Sequence, residues 1–218
     1  IPFLMVRPKK ALGQHFLRNT EIARLLAEAI PLETSQAILE VGPGTGVLTR
    51  FLEPLGKPLW VTEIDSESVR YLEQHFPGLR EHILPGDILQ LDPRTYLPDQ
   101  WALVGNYPYN ISSQIIFRLL EWRENVPVML GMFQKEVADR LVAPPGSRTY
   151  GILSVLCDAY FERELLFDVE RENFYPPPKV RSAVIKMTRK PAPDLACSQD
   201  QLRRIVKTAF NQRRKTLR

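Results

Sequence analysis

The sequence predicts an α/β domain with a mostly parallel sheet, followed by a small helical C-terminal unit. Three observations carry this: short β-type runs alternate with segments of helical period, the first run ends in a glycine-rich turn, and an amphipathic helix follows a proline-rich linker. At 218 residues, 44% hydrophobic and 25% charged, the chain can build one full domain and an appendage. The expected division is 1–190 for the main domain and 191–218 for the start of an incomplete helical domain. Met5 reads as a more natural start than Ile1, so Ile1 to Leu4 stay outside the fold argument.

After the basic residues Arg7, Lys9 and Lys10, the apolar positions Ile22, Leu25, Leu26, Ala29 and Ile30 recur with helical period, with Asn19 placed to cap them. Strand-like runs follow at Ala37–Val41, Leu59–Ile64, His82–Leu84, Trp101–Val104 and Val128–Phe133, separated by helical or turn-rich segments. That alternation means parallel strands covered on both faces. Past Val142 the pattern changes to a helix around Tyr150–Ala159, a run Phe161–Val169, the rigid Tyr175 to Pro178, and an alternating run Val180–Met187. These late runs are expected to add antiparallel strands at the end of the sheet. Pro191 to Pro193 read as a linker, and Ser198 with Gln201 as a capping box. The helix it opens carries Leu202, Ile205, Val206, Ala209 and Phe210 on one face. No later helix covers that face before Arg218, so the C-terminal unit is expected to be cut short.

Net charge is +4, but Gln199 to Arg218 holds seven basic residues against the single acid Asp200. Such concentration points to a polyanionic partner, with Arg213, Arg214 and Lys215 as its candidate contacts; a solvated helix face is the plain alternative. Cys157 and Cys197 match no metal-ligand spacing and are too few for a disulfide framework, which suits a reducing cytoplasm and structural thiols. No metal is expected. No run is long enough to span a membrane, and no secretory signal is visible, so a cytoplasmic protein with no membrane role is expected, and it is taken to be a monomer.

The strongest local signal is Ile38 to Gly46, a buried strand running into Gly42-Pro43-Gly44-Thr45-Gly46. Glycines there let the backbone approach a ligand closely. The dinucleotide fingerprint wants a glycine where Val47 stands, so nicotinamide binding is not indicated. Glu63 lies seventeen residues after Gly46, near the end of the next strand, where an acid accepts both hydroxyls of a ribose. Asp87 ends the third strand, placed to accept from an adenine amine. Glu40 either orders the glycine loop or faces the cationic end of a ligand. Together these strand ends describe a nucleoside pocket at the carboxyl edge of the sheet.

The fourth strand ends in Asn106-Tyr107-Pro108-Tyr109-Asn110, a sequence rich in planar and amide groups and suited to a flat base. The Asn106 side-chain oxygen can accept one hydrogen of an exocyclic amine, and the carbonyl of Tyr107, restrained by Pro108, the other. Tyr109 can stack on the base.

With these motifs the chain resembles the ribosomal RNA adenine dimethyltransferase family, most closely its bacterial small-subunit branch. The resemblance covers nearly the whole chain. It rests on Leu12-Gly13-Gln14-His15-Phe16-Leu17, the glycine turn, Glu63, Asp87, Asn106 to Ser113, Gln134 to Val137, Pro145 to Ser147 with Tyr150-Gly151, Phe174 with Pro176 to Val180, and Ala209 to Leu217. It implies a Rossmann-like class I methyltransferase fold and S-adenosylmethionine as cofactor. His15 and Leu17 would close over that cofactor, Gly42 and Gly44 would pass beside it, Glu63 would hold its ribose and Asp87 its adenine. Asn106 would sit between methyl donor and target, and Phe174 would face Tyr109 across the target adenine. The implied reaction is transfer of two methyl groups to each of two neighbouring adenines near the 3′ end of 16S rRNA, within a small-subunit assembly intermediate. The family usually has leucine at Tyr107, and its C-terminal domain normally continues beyond Arg218. A large-subunit (23S) methyltransferase of the macrolide-resistance type shares the chemistry. A non-catalytic RNA-binding assembly factor is the reading from another class, and enzymes acting on DNA adenine or protein glutamine share the Asn-aromatic-Pro-Tyr logic.

Overall fold

The computed structural model describes residues 6–191 and 195–211, so Arg213, Arg214, Lys215 and part of the linker lie outside the described residues. The five early apolar runs become parallel strands: β2 (Ala37–Val41), β3 (Leu59–Glu63), β4 (Ile83–Pro85), β5 (Trp101–Asn106) and β6 (Val128–Gln134). A two-residue strand, β1 (Phe16–Leu17), precedes them; β7 (Phe161–Val169), β8 (Phe174–Tyr175) and β9 (Ser182–Arg189) follow. The seven-stranded sheet has the order β4-β3-β2-β5-β6-β9-β7, and β9 runs antiparallel to both of its neighbours, as the alternating late runs require. Pairing of β9 starts at Ser182, two residues later than its apolar pattern, because Lys179 to Arg181 stay exposed in the loop after the prolines. β1 and β8 form a separate antiparallel pair, Phe16 opposite Tyr175 and Leu17 opposite Phe174.

Among the described residues seven α-helices flank the sheet: α1 (Thr20–Glu28), α2 (Thr49–Leu52), α3 (Ser66–His75), α4 (Ser112–Glu121), α5 (Lys135–Val142), α6 (Ile152–Tyr160) and α7 (Gln199–Asn211). Strand alternation divides the core. Ile38, Ala102 and Val104 pack with Ala23 and Leu26 of α1 and Leu72 of α3. Leu39, Val41 and Leu103 face the other way, with Ile115 and Leu119 of α4 and Leu156 of α6. Buried Cys157 lies in this second layer, where burial pushes its thiol up to about 12, in keeping with a structural role.

The helix starts follow the sequence signals. Asn19 accepts from Glu21 N at 3.0 Å, and Ser198 and Gln201 exchange the two bonds of a capping box. The apolar face of α7 is not left bare as the sequence suggested. Val206 is buried, and Leu202 and Phe210 pack on the α4–α6 layer, with the Phe210 ring 5.9 Å from Tyr150. The main domain itself covers that face, so its apolarity is no sign of an absent companion. Ile205 is the exception, 61% exposed.

The connection order reverses between β2 and β5, whose other neighbours are β3 and β6. In an open parallel sheet such a switch point parts the loops at the strand C-termini and opens a crevice there. The glycine turn leaves β2 at this point and Asn106 ends β5 beside it.

Candidate active site

The crevice is walled by Gly42, Gly44, Glu63, Asp87 and Asn106 to Tyr109, and roofed by Leu12 to Phe16. The turn needs glycine at position 44, where φ is +56° and a Cβ would stand 2.7 Å from the Phe16 ring. Closing the turn brings Gly44 N–H onto Glu63 Oε2 at 3.1 Å, while Asp65 N–H donates to Oε1 at 2.9 Å. Glu63 is 4% exposed; burial raises its carboxyl above the usual range, against the pull of those backbone donors. Asp87 accepts from Leu89 N–H at 2.9 Å. Between the two acids Ile64, an apolar side chain, is 52% exposed on the cleft wall. A large apolar group flanked by carboxylates and a glycine turn is a surface that a purine nucleoside covers, so the residues present fit S-adenosylmethionine.

Glu40 is 1% exposed and accepts from Thr49 Oγ1 at 2.7 Å, so of its two sequence readings the structure supports the loop-ordering one. Burial, opposed by Thr49 and reinforced by Glu63, pushes its carboxyl up to about 8. A raised acid favours the fold below its unfolded-state value of 4.5, and that advantage is lost as pH rises through about 8. Glu40→Gln keeps an acceptor for Thr49 and has no charge to bury. Melting curves are therefore expected to show the variant gaining on the wild type between pH 5 and 9, roughly the interval between the two values. A constant difference over that range would remove Glu40 as the titrating group.

Asn106 Nδ2 donates to the His15 carbonyl at 2.9 Å, which fixes the amide and leaves Oδ1 as its acceptor. The Tyr107 side chain turns away from the cleft into the core: it is 1% exposed, stacks on Phe133 at 4.8 Å and donates its hydroxyl to Leu103 O at 3.1 Å. Room for this large ring comes from Gly131, where a Cβ would lie 2.4 Å from it. Tyr107 in place of leucine thus fills the floor beneath the site. Ser112 Oγ, from the start of α4, reaches the carbonyls of Pro108 and Tyr109 at 3.1 and 3.2 Å and pins the turn. The Tyr109 ring stacks on His15, with centroids 5.1 Å apart, and its hydroxyl bonds Ser182. His15 Nδ1 meets the Pro176 carbonyl at 2.7 Å, where it donates.

Two sequence-derived assignments do not reach the cleft. Leu17 is 4% exposed and packs in the α1–α3 layer, while its neighbour Phe16 lines the site. Phe174 is 1% exposed in the same layer, opposite Leu17. The reason is strand alternation: in the β1–β8 pair, Leu17 and Phe174 share the inner face. Against Tyr109 the structure places His15 instead. Ile64, Ser182 and the clasp in which Lys9 Nζ and Gln14 Nε2 hold Asp65 at 2.5 and 3.5 Å are further parts of this region that no residue pattern singles out. Only the Leu12 to Leu17 motif hinted at such a roof.

Comparison with known proteins bears on this geometry. A family model described as ribosomal RNA adenine dimethylase matches residues 5–218. A ribosomal RNA small subunit methyltransferase A from Parabacteroides distasonis is 53% identical over 98% of this chain and 80% of its own length. The protein of the same name from Porphyromonas gingivalis is 52% identical over 99% and 84%. A crystal structure of a dimethyladenosine transferase from Plasmodium falciparum superimposes with a TM-score of 0.82 at 31% identity, covering 93% of this chain and 73% of that one. The 23S rRNA methyltransferase ErmE gives 0.75 at 29%, covering 90% and 79%. Since the family match runs through every strand end that forms the crevice, the chain belongs to the ribosomal RNA adenine dimethylase family.

Proposed function

We propose that this chain transfers two methyl groups to N6 of each of two adjacent adenines near the 3′ end of 16S rRNA, in an assembling small subunit, using S-adenosylmethionine. The observation that carries the chemistry is the Asn106 amide, held by the His15 carbonyl with its oxygen left to accept. The bound cofactor supplies an electrophilic methyl on sulfur. Glu63 accepts from the ribose hydroxyls, Asp87 accepts from the cofactor's adenine amine, and Gly42 and Gly44 let the backbone pass close. On the target, Asn106 Oδ1 accepts one hydrogen of the amine and the Tyr107 carbonyl the other. This points the nitrogen lone pair at the methyl, and alignment carries much of the rate. No strong base is required: the nitrogen would become acidic on taking the methyl, whose bond to sulfur breaks to leave a neutral thioether, and its proton would pass to solvent. Tyr109 stacks on the adenine, which displaces His15 from that face. Phe174, buried as it is, has no part in this proposal.

The small-subunit target is supported by the names of relatives more than 50% identical to this chain. The likeness to ErmE, at 29%, reflects shared fold and chemistry more than a shared target. Among the described residues no helix is long and apolar enough to cross a membrane. We place the protein in the cytoplasm as a monomer, with 191–218 opening a small helical domain.

In cells lacking the modification, expression of this chain is expected to restore dimethyladenosine in 16S rRNA. Dimethyladenosine in 23S rRNA alone would support the large-subunit reading, and none in either the non-catalytic one. The basic end serves RNA binding: neutralising Arg213, Arg214 and Lys215 is expected to lower the log–log salt slope by roughly one unit per lost phosphate contact, at unchanged cofactor affinity. An unchanged slope would leave the cluster as a solvated face.

A further inference from the structure

We infer that Ser182 is a positioning residue for methyl transfer, acting through the hydroxyl of Tyr109. Ser182 opens β9, two strands across the sheet from the strand that delivers Tyr109, and is fully buried between Gln134 of β6 and Val169 of β7. So buried, it does not line the cleft. Its hydroxyl meets that of Tyr109. The main-chain end of Tyr109 is already pinned, by Pro108 on one side and by Ser112 Oγ on its carbonyl. Ser182 fixes the far end. A ring held at both ends cannot tilt about its first side-chain bonds, so the plane on which a base stacks is set before the base arrives. The antiparallel extension of the sheet thereby takes part in the chemistry, through a contact between residues 73 positions apart.

This rests on Tyr109 being the surface on which the target adenine stacks. In single-turnover transfer at saturating cofactor and small subunits, Ser182→Ala is expected to slow the rate about tenfold, the effect of one lost orienting hydrogen bond, with cofactor affinity unchanged. Ser182→Thr keeps the hydroxyl and is expected to retain most of the rate. Tyr109→Phe removes the same bond from the other side and should match Ser182→Ala, and the double variant should be no slower than either single one. Losses that multiply in the double variant, or a Ser182→Ala rate equal to wild type, would overturn the inference. Should Ser182→Ala fail to fold, the Tyr109→Phe and Ser182→Thr pair still decides, since a normal rate for Tyr109→Phe refutes the inference by itself. A second readout is independent of the function assigned. The ring resonances of isotope-labelled Tyr109, identified by their absence in Tyr109→Phe, should shift in Ser182→Ala and keep their position in Ser182→Thr. Moved resonances with an undiminished rate would show the anchor to be real and irrelevant to transfer. Unmoved resonances would refute the anchor whether or not the protein methylates RNA.

Discussion

Replacing Asn106 with alanine is expected to slow single-turnover methyl transfer by about 10²-fold or more, while the protein still associates with small ribosomal subunits. The amine of adenine is a poor nucleophile, its lone pair delocalised into the ring, and in the proposed mechanism Asn106 Oδ1 is the side-chain acceptor that orients it. In the proposed reading affinity for the subunit comes instead mainly from cations on phosphates away from the cleft. Binding and chemistry should therefore separate. Asn106 also donates to the His15 carbonyl, so the alanine variant loosens the roof as well as the amine. Cofactor affinity must be measured beside the rate, and the comparison made at saturation. Asn106→Asp offers acceptors to the amine but nothing to the His15 carbonyl, against which it places a negative charge. It is expected to be as impaired as alanine. A near-normal rate for Asn106→Ala at saturating cofactor would remove the amine-orienting role.

Glu63→Ala is expected to weaken cofactor binding by about 3 kcal/mol, close to 10²-fold, and to lower the melting temperature as well. Loss of the ribose contacts accounts for only part of this. Each oxygen of Glu63 already accepts a backbone N–H, from Gly44 and from Asp65, and truncation leaves both donors without it beneath the roof. Glutamine is no conservative replacement, since its NH₂ must face one of these two donors. The raised carboxyl adds a pH signature: affinity should fall on acidification earlier than an exposed glutamate would allow, because the protonated acid loses acceptor capacity. Calorimetry with unchanged affinity in a folded Glu63→Ala would take Glu63 out of the site.

Much of this was legible along the chain because it is written in local pattern. The run Ala37–Val41 ends at its strand boundary, and the Ser198–Gln201 box forms as spelled. Glu63, Asp87 and Asn106 fall on one cleft because consecutive parallel strands bring their C-terminal ends to one edge. What escaped depends on pairing between distant segments. The family resemblance puts Leu17 and Phe174 in the site, yet which face of a two-residue strand looks inward is set only when β1 meets β8. That Tyr107, where the family usually has leucine, drops into the core needs Gly105 and Gly131 side by side on adjacent strands. The cover over α7 comes from α4 and α6, and no periodicity within the last helix could announce it.

The most direct test is transfer of labelled methyl groups in vitro to small and large ribosomal subunits from cells that lack the modification, with the label then mapped. Label on N6 of two adjacent adenines near the 3′ end of 16S rRNA, present with wild type and lost with Asn106→Ala, is the expected result. Label confined to 23S rRNA, or 16S label undiminished in Asn106→Ala, would contradict it.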